Sequence, residues 1–369
     1  MVVRIRKRNF FNLLIALLFL SATSAQESTD YIWYDLAKVY KYGKVSQNTQ
    51  NPFQRFPDTM QKAVRPEVWS LSLNPAGVTI KFKTQADQII IKYKVKGKLA
   101  FPHMPATGVS GIDLYLKNKM DKWQWVKGTY HFSDTISYNY QLDNSSGKLK
   151  EFMLYLPLYA TVEGMQIGVS QSNGINIQKS EGSLPMIIYG TSITQGACAS
   201  RPGNAWTNKL GRKTGIPILN FGFSGNGWLE PEILEYLVQQ QARAYILDCL
   251  ANFDRPSLGP DEAYKRLIYS VAKIRAIHPN TPIIFTDHAG YGDADIYSPR
   301  KHAVDRLNKA NHKAYELLLA KGDQNLYLLT QQQIGLQSRD FVDGLHPTDG
   351  GMEKYAAAYF NLVSEIFNK

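Results

Sequence analysis

Pro185-Met186-Ile187-Ile188-Tyr189-Gly190-Thr191-Ser192-Ile193-Thr194-Gln195-Gly196 reads as three short pieces in succession. Residues 185–189 form an apolar run of strand length, consistent with burial. Gly190 breaks the run, and residues 193–196 open a helix or turn. A hydroxyl at the carboxyl end of a strand in an α/β sheet sits where such folds hold their chemistry. Ser192 is therefore a candidate nucleophile.

Downstream the same grammar repeats. Strand patterns fall at 185–189, 217–221, 244–248, 282–286 and 325–328, and helix patterns at 206–214, 231–240, 261–277, 301–319 and 351–367. Strand–helix alternation at these spacings predicts βαβ units around a mostly parallel sheet. In the last helix Tyr355, Tyr359, Leu362, Val363 and Ile366 form a core-facing stripe.

Upstream of about residue 180 the pattern differs. Residues 78–83, 88–95 and 148–156 largely alternate apolar and polar with period two, rich in Tyr, Thr, Ile and Val. This predicts an all-β sandwich. The polar, glycine-containing stretch 172–183 is expected as a linker. The expected organisation is thus a signal peptide (1–25), a β-sandwich domain (26–171), a linker (172–183) and an α/β domain (184–369).

The N-terminal assignment rests on Arg4, Arg6, Lys7 and Arg8, followed by an apolar stretch over 10–20 and the small residues Thr23-Ser24-Ala25. That is an export signal, too short for a comfortable span. The expected location is periplasmic or extracellular, with no stable membrane span after cleavage. The signal carries no acid, so its removal takes the formal charge from +11 to +7. The remaining basic residues are scattered, which disfavours nucleic acid as a partner. Cys198 and Cys249 are the only cysteines. Without a matching histidine cluster they make no metal site, and two buried thiols are favoured over a disulfide.

Asp343-Gly344-Leu345-His346 is the second decisive stretch. A histidine three residues after an aspartate can have its ring oriented from the same turn, which makes it a competent base for a serine. Backbone donors for a developing oxyanion are sought after the other strands. Asn220-Phe221-Gly222-Phe223-Ser224-Gly225-Asn226-Gly227 lets the backbone approach a ligand closely, and Asn252 offers a side-chain amide. Trp228 is a candidate cleft wall or an ordinary packing residue. His288 either borders the cleft or is a satisfied structural histidine.

These segments resemble the blocks of the SGNH (GDSL-like) hydrolase family. Gly190-Thr191-Ser192 resembles its Gly-Asp-Ser block, Ser224-Gly225 its glycine block, Asn252 its asparagine block and Asp343-Gly344-Leu345-His346-Pro347 its Asp-x-x-His-Pro block. Gly111-Ile112-Asp113-Leu114-Tyr115 is similar to the Gly-x-Asp-Leu-Tyr signature of a β-rich domain preceding one branch of these hydrolases. The resemblance implies a jelly-roll-like sandwich followed by a three-layer α/β/α hydrolase domain. It implies a Ser192–His346–Asp343 triad, and an oxyanion hole of Ser192 N–H, Gly225 N–H and the Asn252 side chain. It requires no cofactor. Thr191, Leu250 and Phe253 depart from the family pattern.

The expected activity is that of an exported serine esterase acting on O-acyl, above all O-acetyl, esters of carbohydrate. The competing readings are a lipase- or thioesterase-type acylhydrolase, and a catalytically weak glycan-binding protein on a hydrolase scaffold. Oligomeric state is not legible in the sequence.

Overall fold

The computed structural model describes residues 31–143, 147–171, 173–179 and 183–368. The expected signal over 1–25 lies outside them, as do residues 172 and 180–182 of the expected linker.

Among the described residues, ten strands build the N-terminal half: β1 (Tyr31–Asp35), β2 (Thr79–Thr84), β3 (Gln88–Lys96), β4 (Asp113–Lys117), β5 (Trp123–Val126), β6 (Thr129–His131), β7 (Ile136–Gln141), β8 (Lys150–Tyr155), β9 (Thr161–Ser170) and β10 (Ile175–Ile177). They form two antiparallel five-stranded sheets, ordered β1-β9-β3-β7-β6 and β10-β2-β8-β4-β5. Along β3, Ile89, Ile91 and Tyr93 are buried while Lys92 and Lys94 are exposed. These residues join Ile80, Phe82, Leu114 and Phe152 of the other sheet in one core. The result is the expected sandwich.

Two details differ from the sequence reading. Strand β10 lies inside the stretch expected as a linker and pairs with Phe82–Thr84 of β2. The sandwich therefore reaches at least to Ile177. Alternation also fails in β8, where Phe152, Met153, Leu154 and Tyr155 are all buried. Phe152 and Leu154 enter the sandwich core, whereas Met153 and Tyr155 join Tyr115 on the opposite face. There Arg212 of the second domain lies 4.3 Å from the Tyr115 ring centroid and 5.3 Å from that of Tyr155. The sheet is covered on both sides, by its partner sheet and by the hydrolase-like domain.

The second domain holds β11 (Met186–Gly190), β12 (Ile218–Gly222), β13 (Ala244–Asp248), β14 (Ile283–Thr286) and β15 (Leu326–Leu329), all parallel, in the order β12-β11-β13-β14-β15. In chain order the helices are α1 (Pro66–Ser72) and α2 (Ala106–Val109) in the first half, then α3 (Ser192–Gln195), α4 (Trp206–Thr214), α5 (Pro231–Leu237), α6 (Gly259–Ile277), α7 (Ser298–Ala320), α8 (Gln331–Ile334) and α9 (Asp349–Phe367). Successive strand residues serve opposite faces. Ile187, Tyr189, Tyr245 and Leu247 pack against α5, α6 and α7. Met186, Ile188, Ala244 and Ile246 pack against α4 and α9, where the Trp206 ring stacks on Tyr359 at 4.4 Å. This is the three-layer arrangement. Strand order reverses at β11, so the chain leaves its carboxyl end into the crevice where open α/β sheets bind ligands. Gly190 is in register with Gly222 on one side and Asp248 on the other, and Ser192 follows immediately.

Candidate active site

Ser192 is the first residue of α3 and is 6% exposed. Thr191, which departs from the family's aspartate, caps this turn by accepting the Ile193 N–H at 3.2 Å. The loop after β12 closes tightly over the same turn. A Cβ on Gly222 would lie 2.2 Å from Gln195 N, and one on Gly227 would lie 2.0 Å from Gly190 O, so both positions require glycine. Gly225 has φ +68°, and its Cα faces open space. Among the described residues, neither Ser192 nor Gly225 donates its backbone N–H to another protein group; as a first-turn residue, Ser192 has no intrahelical partner for that group.

His346 comes from the turn before α9. Its Nε2 lies 2.8 Å from Ser192 Oγ and its Nδ1 lies 2.7 Å from Asp343 Oδ2. Asp343 Oδ1 accepts the backbone N–H groups of His346 (2.8 Å) and Leu345 (3.1 Å). Partial burial disfavours the carboxylate charge, but the two backbone donors and the imidazole outweigh it and hold Asp343 below its ordinary pKa. A chain of Ser, His and ionised Asp in this geometry can move a proton off the hydroxyl as the oxygen attacks a carbonyl.

Asn252 sits in the 3-10 turn after β13. Its amide is best satisfied with the oxygen accepting the N–H groups of Gly227 (3.0 Å) and Asn226 (3.1 Å), which ties it to the glycine loop. The neighbouring departures, Leu250 and Phe253, are both buried in the core with α5 and α6. They are packing residues.

The structure places two residues whose role the sequence left open. Trp228 does not line the cavity over His346. It lies behind the glycine loop, stacked between the guanidinium groups of Arg65 (3.5 Å) and Arg255 (4.9 Å), and its Nε1 donates to Gly225 O at 2.9 Å. It braces the loop. His288 does not border that cavity either. It is 2% exposed, its Nδ1 accepts the Gly290 N–H at 3.0 Å, and burial pulls its pKa down to about 4.

Further residues hold these elements in place. Gln195 accepts the Ser224 N–H at 3.0 Å and donates to Leu158 O at 3.1 Å, fixing the glycine loop to the sandwich domain. Arg55, fully buried, donates to the carbonyls of Leu71, Asn74, Asn220 and Gly222. Asp113 of the Gly-x-Asp-Leu-Tyr stretch accepts from Trp125 Nε1, Arg201 and Gly203 N, while Tyr115 Oη accepts from Arg201. The signature thus tethers the loop after α3. A cavity of about 610 Å³ opens over His346, walled largely by the first domain: Leu71, Phe101, His103, Met104 and Tyr159, facing Ala197, Ser224 and Asn226.

One potential metal-ligand group surrounds this site: His103, Cys198, Asp343 and His346 each bring a ligand atom within 4.8 Å of the others. Two of its members, Asp343 and His346, are already engaged with each other, and burial pushes the Cys198 thiol up to about 12, a poor thiolate source. Cys198 and Cys249 are both buried and free.

The family profile described as GDSL-like lipase/acylhydrolase matches residues 183–364, and that for the N-terminus of SGNH-hydrolase-type esterases (GxDLY) matches residues 31–175. A protein assigned as a GDSL-like lipase from Bacteroides ovatus is 31% identical, with a TM-score of 0.83 over 92% of this chain and 98% of that one. The chain belongs to the GDSL-like SGNH hydrolase family, in the branch with an N-terminal GxDLY domain. As a member of that family it is a serine hydrolase of ester bonds. More distant structures share the fold. The salicylyl-acyltransferase SsfX3 from a tetracycline biosynthetic pathway is 19% identical, with a TM-score of 0.72 over 91% of this chain and 98% of that one. A family two carbohydrate esterase from Cellvibrio japonicus is 11% identical, with a TM-score of 0.57 over 92% of this chain and 98% of that one. No curated protein sequence matches the chain.

Proposed function

We propose that this SGNH hydrolase is an exported esterase that removes O-acyl groups, chiefly O-acetyl, from carbohydrate through an acyl-enzyme on Ser192. The observation that carries the mechanism is His346, bonded to Ser192 Oγ through one ring nitrogen and to Asp343 through the other. His346 takes the hydroxyl proton as Ser192 Oγ bonds to the carbonyl carbon, then gives it to the departing alcohol. Asp343 fixes the tautomer and offsets the imidazolium charge. Ser192 N–H, Gly225 N–H and the Asn252 amide receive the oxyanion, each worth about 2.7–4 kcal/mol to the transition state. Water repeats the sequence and frees the acid.

The carbohydrate assignment rests on less: the signal-like N-terminus, the sandwich partner domain, and fold relatives that are carbohydrate esterases. A second reading, esters of bulkier acyl groups, is favoured by the apolar wall of Leu71, Phe101, Met104 and Tyr159. The deciding experiment compares aryl esters of increasing acyl length with acetylated oligosaccharides and identifies the products. Acetate release from the sugars, with preference for short acyl chains, supports the first reading. Cleavage of long-chain esters with none of any acylated sugar overturns it.

A further inference from the structure

A second cavity, of about 320 Å³, lies beside the first, between the sandwich and the loop after α3. Thr107 and Ser200 line it. Each is three residues along the chain from a residue of the cavity over His346, Met104 and Ala197. Three residues reach at most about 10 Å, and Thr107 Oγ1 donates to Ser200 O at 2.7 Å. The two cavities are therefore close neighbours, with no lining residue in common.

The walls of this second cavity are aromatic and open to solvent. Trp125 is 44% exposed and Tyr130 is 56% exposed. Trp125 is nevertheless held in place. Asp113 accepts from its Nε1 at 2.6 Å, and the Arg201 guanidinium lies 4.7 Å from its ring centroid. An aromatic ring locked in one orientation while still exposed loses little freedom when a ligand stacks on it. Tyr138 and Tyr140 back these walls and are buried. At the rim, exposed Lys127 supplies a donor.

A sugar ring presents an apolar face of C–H groups and an edge of hydroxyls. Exposed aromatic walls with an ammonium donor at the rim match both features. An acyl chain would leave the ammonium donor unused, and an anion would meet aromatic walls. We infer that the cavity between Trp125, Tyr130 and Ser200 binds a pyranose ring of the same glycan whose ester is presented at Ser192. The inference rests on the carbohydrate reading of the active site. It adds a second contact, so that a polymer reaching both cavities binds more tightly than its isolated ester unit.

The test uses the full chain carrying Ser192→Ala, run by affinity electrophoresis through gels containing acetylated xylan, glucomannan or pectin. At least one polysaccharide should retard it. Adding Tyr130→Ala, whose side chain makes ring contacts only, should weaken retardation about fivefold or more, with thermal melting checking the fold. Trp125→Ala should do the same, and Tyr130→Ala guards against loss of the Asp113 tether. In the active enzyme Tyr130→Ala should lower kcat/KM on the polymer relative to that on an aryl acetate by a similar factor. No retardation by any polysaccharide, or equal retardation of parent and variants, overturns the second site even where acetylated sugars are hydrolysed. Retardation lost in the variants, with no acylated sugar hydrolysed, supports the second site and overturns the substrate assignment instead.

Discussion

The imidazole of His103 lies nearly parallel to that of His346, with ring centroids 5.9 Å apart and planes inclined by 19°. The two residues belong to different domains. His103 sits in the turn between Phe101 and Met104, whose backbones bond each other in both directions at 3.0 Å. The sandwich therefore supplies a wall of the cavity in which the Ser192–His346 pair works.

His103→Ala should raise KM for ester substrates several-fold and change kcat less, because the wall contacts substrate rather than the reacting bond. Steady-state kinetics on aryl acetates separates the two. A fall in kcat at constant KM would mean that His103 acts through His346 instead.

His346→Ala should lower kcat by about 10,000-fold or more with little change in melting temperature, since its ring is at the mouth of a cavity and not in a core cluster. Asp343→Asn should cost about 100- to 10,000-fold, because an amide can stabilise the wrong imidazole tautomer. A normal rate for Asp343→Asn would reduce the machinery to a Ser–His pair.

Asp248, at the end of β13, is fully buried, and burial lifts its pKa to about 7 despite hydrogen bonds from Tyr355 and Thr194. Unfolded, it titrates near about 3.9. Between those values the native state holds a proton that the unfolded chain has released. Its contribution to stability is therefore present below about pH 4, declines as pH rises to about 7, and stays lost above that. Asp248→Asn removes this dependence. Thermal melting of both proteins should show the variant gaining on the wild type from pH 5 to pH 8. A constant difference would mean that Asp248 is already ionised in the native state at pH 5.

Much of this architecture is visible in the chain because it is locally encoded. The strands of the parallel sheet are continuous apolar runs, and α4 occupies the stretch 206–214 marked by its pattern. The Asp343–His346 turn closes over four residues, so spacing alone brings the pair together. The misses are of another kind. Strand β10 is three residues of polar surroundings that exist as a strand only by pairing with β2. Helix α5 stops at Leu237, short of the expected 240, where Val238 and the following turns redirect the chain toward β13. Trp228 and His288 both follow strands and were legible as cleft candidates, but packing turns one onto two arginines and buries the other. His103 and Arg55 act through partners distant in sequence and leave no periodic or motif signal.

Arg55 offers the strongest test of how the first half of the chain supports the second. It is fully buried with no carboxylate partner among the described residues, and burial draws its pKa down to about 9, so it remains charged at neutral pH. Its Nη1 donates to Asn220 O at 3.0 Å and to Gly222 O at 2.7 Å, at the end of β12 where the glycine loop begins. Its other donors hold Leu71 O and Asn74 O, and the guanidinium lies 4.8 Å from the Phe223 ring centroid. Methionine would fill much of the volume and take the guanidinium from four carbonyls, of which Leu71 O keeps the Asn74 N–H at 3.2 Å. At about 1–3 kcal/mol for each unsatisfied group, Arg55→Met should lose at least about 3 kcal/mol of stability. Arg55→Lys keeps the charge but offers three donors in place of a planar fork, so it should fall between the two. If the guanidinium also positions Gly225 by fixing Gly222 O, both variants should lose kcat at temperatures well below their melting transitions, with lysine the milder. Denaturant unfolding together with kcat measured at 15 °C distinguishes the roles: reduced stability with wild-type kcat would confine Arg55 to holding the domains together.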